Sequence, residues 1–254
     1  VISSHNLMQP MQAKAIDAFA DFHATIAAQF ADFDYHIMVV DGDLDWGNSY
    51  CNNDACEQSC AIEGYPCELV DQLTACDLDI GAGHVSNAGN NSSNRDCGVV
   101  GGRRYLTRDQ PDLGETFSCL ARVGTDGDDA LGYAVTEALA PDIRGPGGCN
   151  EGFLRDDALL MITFLITGDD GISPGYPDEW AQAVIDAKNG DPGSIVMFGL
   201  LMPNCVDNKF DRLCRMLTMF EYSHIESNLI DDYGPAFVEA TALVDAACTA
   251  FIPK

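Results

Sequence analysis

The sequence predicts an α/β fold: a doubly wound, mostly parallel sheet with helices on both faces, plus a disulfide-stapled insertion. Three observations carry that reading. Two runs, Leu159–Thr167 and Ser194–Leu201, are apolar at nearly every position over strand length, as strands buried on both faces are. Segments of helical period stand between the strand-like runs. Six of the eleven cysteines fall within residues 42–114, a stretch with little periodicity of either kind.

Taken in order, Val1–Ser3 reads as the end of a strand. Met8, Met11, Ala15, Ile16, Phe19, Phe22, Ile26, Phe30 and Phe33 recur at steps of three and four, which predicts an amphipathic helix over 8–33. Tyr35–Asp41 is strand-like and ends at an Asp-Gly turn, completing a β-α-β start. Residues 42–114 are too long for an unsupported loop inside a domain, so local disulfides are expected to hold them as an insertion. Gly81–Asn94 reads as the insertion's most mobile part. Helices are expected over Glu115–Ala121 and Asp128–Leu139, and the central strand Leu159–Thr167 follows. The next helix opens on Pro177-Asp178-Glu179, with Pro early and acids in the first turn. After Ser194–Leu201, a helix over Asn208–Phe220, a short strand near Tyr222–Ile225 and a helix over Tyr233–Phe251 close the chain. The whole, 1–254, reads as one domain with the insertion 42–114 inside it.

Composition narrows the function. The net charge is −27, and Asp outnumbers Glu three to one. Phosphate backbones and anionic bilayers repel such a surface, so nucleic-acid binding is excluded. No apolar run reaches the length of a membrane span, so no membrane insertion is expected. Eleven cysteines without a CxxC spacing point to disulfides rather than zinc, and therefore to an oxidising, extracellular or cell-surface location.

Several local patterns carry chemistry. Asp41, Asp43 and Asp45 alternate with a Gly at 47, either as an acidic turn after a strand or as part of a structural calcium loop. The Gly falls one place late for an EF-hand and no closing Glu follows. Gly171-Ile-Ser173-Pro-Gly175 has the GxSxG form, but Pro174 lacks the N–H that an oxyanion would need. Asn90-Asn91-Ser92-Ser93 holds overlapping glycosylation acceptors that equally describe a polar loop tip. No catalytic set emerges, and the chain reads as a non-enzyme.

The run Val1-Ile2-Ser3-Ser4-His5-Asn6-Leu7-Met8, the helix and strand after it, Phe117–Asp129 and Gly147–Ile166 together resemble the von Willebrand factor A family in its cysteine-rich secreted form. The resemblance covers most of 1–41 and 115–251. It implies a divalent metal at the C-terminal edge of the sheet, held by Asp-x-Ser-x-Ser, a Thr and a later Asp. Here the first Asp falls on Ser3, the two Ser on His5 and Leu7, and the late Asp on Gly168; Thr125 alone matches. Asp169 and Asp170 lie one and two places along. The resemblance thus implies a retained fold with a degenerate ligand-binding edge of Ser3, His5, Thr125, Asp169 and Asp170, and no cofactor there.

Within that alignment Cys119 is expected to pair with Cys149 and Cys205 with Cys214, while the six insertion cysteines pair among themselves. Cys248 is left over, its partner expected upstream of Val1. So little of a central first strand remains that upstream residues, or a neighbouring subunit, are expected to fill the space before Val1. The expected function is protein binding or adhesion, with a protein or glycan at the cell surface as partner. The alternative is a structural subunit that binds copies of itself in a cell-surface filament.

Overall fold

The computed structural model describes residues 1–29, 34–203, 205 and 211–250. Its elements are α1 (Gln9–Gln29), β1 (His36–Ile37), α2 (Cys56–Ser59), α3 (Cys67–Val70), α4 (Ala75–Leu78), β2 (Ser86–Asn87), β3 (Arg95–Asp96) and β4 (Leu106–Thr107). Then come α5 (Leu113–Ala121), α6 (Leu131–Ala138), α7 (Pro141–Arg144), β5 (Leu160–Leu165), α8 (Pro177–Ala187), β6 (Ile195–Leu201), α9 (Arg212–Leu217), β7 (Tyr222–Ser227) and α10 (Gly234–Ala250). The helix ends expected at 30–33, 208–210 and 251 lie outside the described residues.

The protein mixes helix and strand around a three-stranded parallel sheet of order β5-β6-β7. Two antiparallel pairs, β1 with β4 and β2 with β3, are separate small sheets. Residues 1–3 and 39–41 join the parallel sheet only through isolated bridges, Ile2 to Leu165 and Ile2 to Asp41. Backbone bonds extend those bridges: Ile2 N–H donates to Val40 O, Ser3 N–H to Leu165 O and Leu165 N–H to Val1 O. The single strand expected over Tyr35–Asp41 therefore divides, its first half antiparallel to β4 and its last residue parallel to Ile2.

Alternation along β5 and β6 explains why these strands are apolar on both faces. Leu160, Ile162, Phe164, Ile195, Met197 and Leu201 pack with Leu131, Val135, Trp180, Val184 and Leu217 of α6, α8 and α9. Leu165, Phe198 and Leu200 point the other way, against Met8 and Phe19 at α1, Leu120 of α5, and Phe237 and Ala240 of α10. Each fully buried Leu or Phe contributes about 2 kcal/mol. Gly132 lets α6 meet α8, because a Cβ there would run into the Trp180 ring. Lys188, buried at the end of α8, donates from Nζ to the carbonyls of Arg155 (2.7 Å) and Ala158 (2.7 Å), fixing the approach to β5.

Five disulfides form: Cys51–Cys60, Cys56–Cys67, Cys76–Cys149, Cys97–Cys119 and Cys205–Cys214, with Cys248 free. Cys205–Cys214 and the unpaired Cys248 are as expected. Cys119–Cys149 is not, and only two bonds are internal to the insertion. Two buried amides explain the correction. Asn87 Nδ2 donates to the carbonyls of Cys119 (3.1 Å) and Leu120 (2.7 Å), so the β2–β3 hairpin lies on the end of α5 and delivers Cys97 to Cys119. Asn150 Nδ2 donates to Gly81 O (2.9 Å) and its Oδ1 accepts from Gly83 N–H (2.9 Å), which sets Cys149 beside α4 and Cys76. The insertion is thus sewn to the body at both ends of Gly81–Asn94. Ala82, Asn87 and Ala88 of that segment are buried rather than forming a loose tip.

Candidate functional site

Parallel strands end on the same edge, and in open α/β sheets that carboxyl edge is where ligands bind. Here it collects Ser3–His5 after the first bridge, Asp41–Asp45 after the second, and Thr167–Asp170 after β5. The 122–130 loop, between α5 and α6, closes over them. Gln12 Nε2 ties α1 to this loop by donating to Ser3 O (3.1 Å) and Gly124 O (2.8 Å). Ser4 Oγ donates to Asp128 O (3.1 Å), Gly127 N–H to Ser4 O (3.1 Å) and Ala130 N–H to Gly42 O (2.9 Å). Gly127 is needed for that closure, since a Cβ would overlap the Asp43 carboxylate and the Ser4 hydroxyl.

Ser3 and His5 are brought together with a residue the sequence did not single out, Asp129. Ser3 Oγ donates to Asp129 Oδ1 and accepts from His5 N–H (3.1 Å). The His5 ring nitrogen Nδ1 lies 3.4 Å from Thr167 Oγ1. Burial raises the Asp129 carboxyl above the usual carboxylate range; Ser3 and His5 oppose the shift, while Asp170 and Asp128 reinforce it. The signal for Asp129 was present as the Asp128-Asp129 pair before an apolar helix, which reads equally as an acidic helix start.

Asp170, Asp169 and Thr125 are committed elsewhere. The fully buried Asp170 carboxylate accepts from Gly132 N–H (2.6 Å), Ser173 N–H (3.0 Å) and Ser173 Oγ–H (2.7 Å). Exposed Asp169 accepts from Arg212 N–H (2.8 Å) at the start of α9. Thr125 faces the 88–94 loop, its hydroxyl donating to Asn90 O (3.2 Å) and accepting from Asn91 Nδ2 (2.8 Å). Ser173, the centre of the GxSxG pattern, is buried; besides Asp170 its hydroxyl meets Tyr133 N–H at 2.9 Å.

Asp41, Asp43 and Asp45 form a ladder of local turns. Asp43 N–H donates to Asp41 Oδ1 (3.3 Å) and Asp45 N–H to Asp43 Oδ1 (3.2 Å), while Asp41 pairs with His84 Nε2 at 3.2 Å. They line a small, open surface cleft with Asp77, His84 and Arg104. Among the described residues, no group of three or more His, Cys, Asp or Glu side chains is placed to hold a metal ion.

The pH dependence of stability follows from these groups. Burial, then the Asp41 charge, pushes the Asp43 carboxyl up to about 7. Burial likewise raises Asp129, Asp211 and Glu137. For His84, burial works downward, but the Asp41 charge and hydrogen bond raise it on balance. In every case the folded state holds its proton more tightly than the unfolded chain, so stability falls as pH rises. Asp77 is shifted the other way: burial pushes it up, but its bonds to Thr74 and Arg104 hold it down on balance. Its contribution is already complete above pH ~4. Burial lowers the Val1 amino group to about 5 and lowers His36, contributions of the opposite sign over the same range. The Asp43 part, a loss of about 2 kcal/mol between pH 4 and 8 after discounting by half for partial exposure, is therefore read as the difference between melts of the wild type and of Asp43→Asn.

No protein-family model, curated protein or solved structure matches the chain.

Proposed function

We propose that this chain is an extracellular, non-enzymatic binding or adhesion module of von Willebrand factor A type whose metal site has been lost. The observation that carries the reading is the state of the sheet's carboxyl edge. Its oxygens are spent on the protein itself, Asp170 on Gly132 and Ser173, Thr125 on Asn90 and Asn91, and Ser3 on Asp129. Around them stand Leu7, Ile172, Tyr176, Met202 and Leu229, apolar side chains 39–68% exposed in the loops that follow successive parallel strands. Contact through such side chains, with acids at the rim, is ordinary protein–protein recognition without a bridging ion. The sheet reading is supported by the parallel bridges that would extend β5-β6-β7 through residues 1–3 to 39–41, and by the helices packed on both faces. Five disulfides are consistent with an extracellular location, and among the described residues no helix is long and apolar enough to cross a membrane.

The partner is a protein or glycan of the cell surface, and no cofactor takes part. Immobilised chain, probed with cell-surface protein extract and a glycan array, should capture a partner equally in magnesium and in chelator. Leu7→Asp with Ile172→Asp should abolish that capture. Capture that needs magnesium would overturn the reading. Calorimetric titration with magnesium should show no binding that Thr125→Ala removes, and calcium titration monitored by melting should leave stability unchanged. Filaments in negative stain would instead favour the self-assembling subunit, to which the disulfide density is equally suited.

A further inference from the structure

β7 is the outer strand of the parallel sheet. It pairs with β6 on one side; on the other, among the described residues, its backbone meets only a turn closed on Ser227 O and the Glu226 carboxylate, which accepts from Ser227 N–H at 2.7 Å. All six of its residues are half-buried. Proteins usually blunt such an edge with Lys, Pro, a bulge or a covering element. Tyr222-Ser223-His224-Ile225-Glu226-Ser227 contains no Lys, Pro or Gly.

We propose that this edge is an interface for a second copy of the chain, whose β7 adds antiparallel about a twofold axis at Ile225. The sequence of the strand selects the partner and the register. Centred on Ile225, each His224 stands opposite Glu226 of the second copy, each Ser223 opposite Ser227, and Ile225 opposite itself. A histidine facing a carboxylate, with its buried Nε2 otherwise without a hydrogen-bond partner, hydroxyl pairs and β-branched pairs are favourable cross-strand neighbours of antiparallel sheets. Centring on His224 would set it against itself, and centring on Glu226 would oppose two carboxylates. One strand thus complements itself, as a twofold interface requires. Apolar area is available on the flanks. Met219, in the turn before β7, and Val238, on the helix α10 that packs against it, are 45% and 59% exposed. Against association stands the net charge of −27 on each copy, so salt should strengthen the dimer by screening it.

This inference rests on the sheet edge alone and is independent of the adhesion reading. Sedimentation of the whole chain should show a monomer–dimer equilibrium that tightens with salt. Amide exchange on the unsubstituted protein should slow within 222–227 as the dimer forms. Glu226→Lys should weaken dimerisation by about tenfold or more, since the symmetry counts the change twice. It would do so even though the substitution relieves the net repulsion, and His224→Glu combined with Glu226→Lys should restore the dimer. A chain that stays monomeric at high salt, protection that appears elsewhere, or a dimer indifferent to Glu226→Lys would each overturn the proposal.

Discussion

Removing the Cys76–Cys149 bridge by Cys76→Ser with Cys149→Ser will lower stability by about 4 kcal/mol, because this cross-link closes the longest loop in the chain. It spans 73 residues, against 9 for Cys51–Cys60, 11 for Cys56–Cys67, 22 for Cys97–Cys119 and 9 for Cys205–Cys214. A short bridge such as Cys51–Cys60 contributes about 3 kcal/mol on the same chain-entropy argument. The long bridge also holds the insertion to the approach of β5, where the Asn150 amide already binds Gly81 and Ala138. Its loss leaves that amide, with the Tyr105–Phe153 ring contact, to fix the junction. The melting temperature should fall by about 10 °C for a chain of this size. The paired serine substitution at Cys51 and Cys60 should cost less. The reverse order would show that the body does not depend on the insertion being fastened.

The sequence made some of this legible and hid the rest for identifiable reasons. β5, β6, α1, α8 and α10 could be read because each carries a long, consistent apolar pattern that one packing environment explains. The division of 35–41 could not, since a two-residue antiparallel pairing with β4 leaves no periodic trace. Nor could the disulfide partners. They are set by Asn87 and Asn150, two amides whose value lies in burial against carbonyls far along the chain, and a polar residue in a Gly-rich stretch looks the same whether buried or not. At the candidate site Ser3 and His5 do gather near one carboxylate, Asp129, which local pattern had assigned to a helix start, while Asp170 turns to Gly132 and Ser173. Thr125, the one position that matched the family motif, turns its hydroxyl to the insertion loop instead. That loop is the least family-like part of the sequence, so the motif could not anticipate it.

Asp170→Ala should also cost about 4 kcal/mol, and the cost should be the same with magnesium or with chelator. Asp170 lies in the loop after β5 and is wholly buried, yet its carboxylate is fully hydrogen-bonded. It faces the first turn of α6, where the helix dipole and the Gly132 N–H favour an anion, and it receives both donors of Ser173. Its own carbonyl accepts from Arg212 Nη1 at 3.0 Å, and that guanidinium lies over the Trp180 ring at 4.4 Å. One side chain therefore couples α6 to the 171–175 loop, and its backbone links the same loop to α9 and α8. Alanine would leave the Gly132 N–H and the Ser173 hydroxyl and N–H without an acceptor in a buried setting, each a penalty of about 1–3 kcal/mol. Thr125→Ala, which removes one neutral hydroxyl, should cost only about 1 kcal/mol. If Asp170 instead served a cation, magnesium would stabilise the wild-type chain, and the substitution would abolish that gain. Melts of both variants in the two buffers separate a structural hub from a metal ligand, and a magnesium-dependent difference at Asp170 would restore the ion site to this edge.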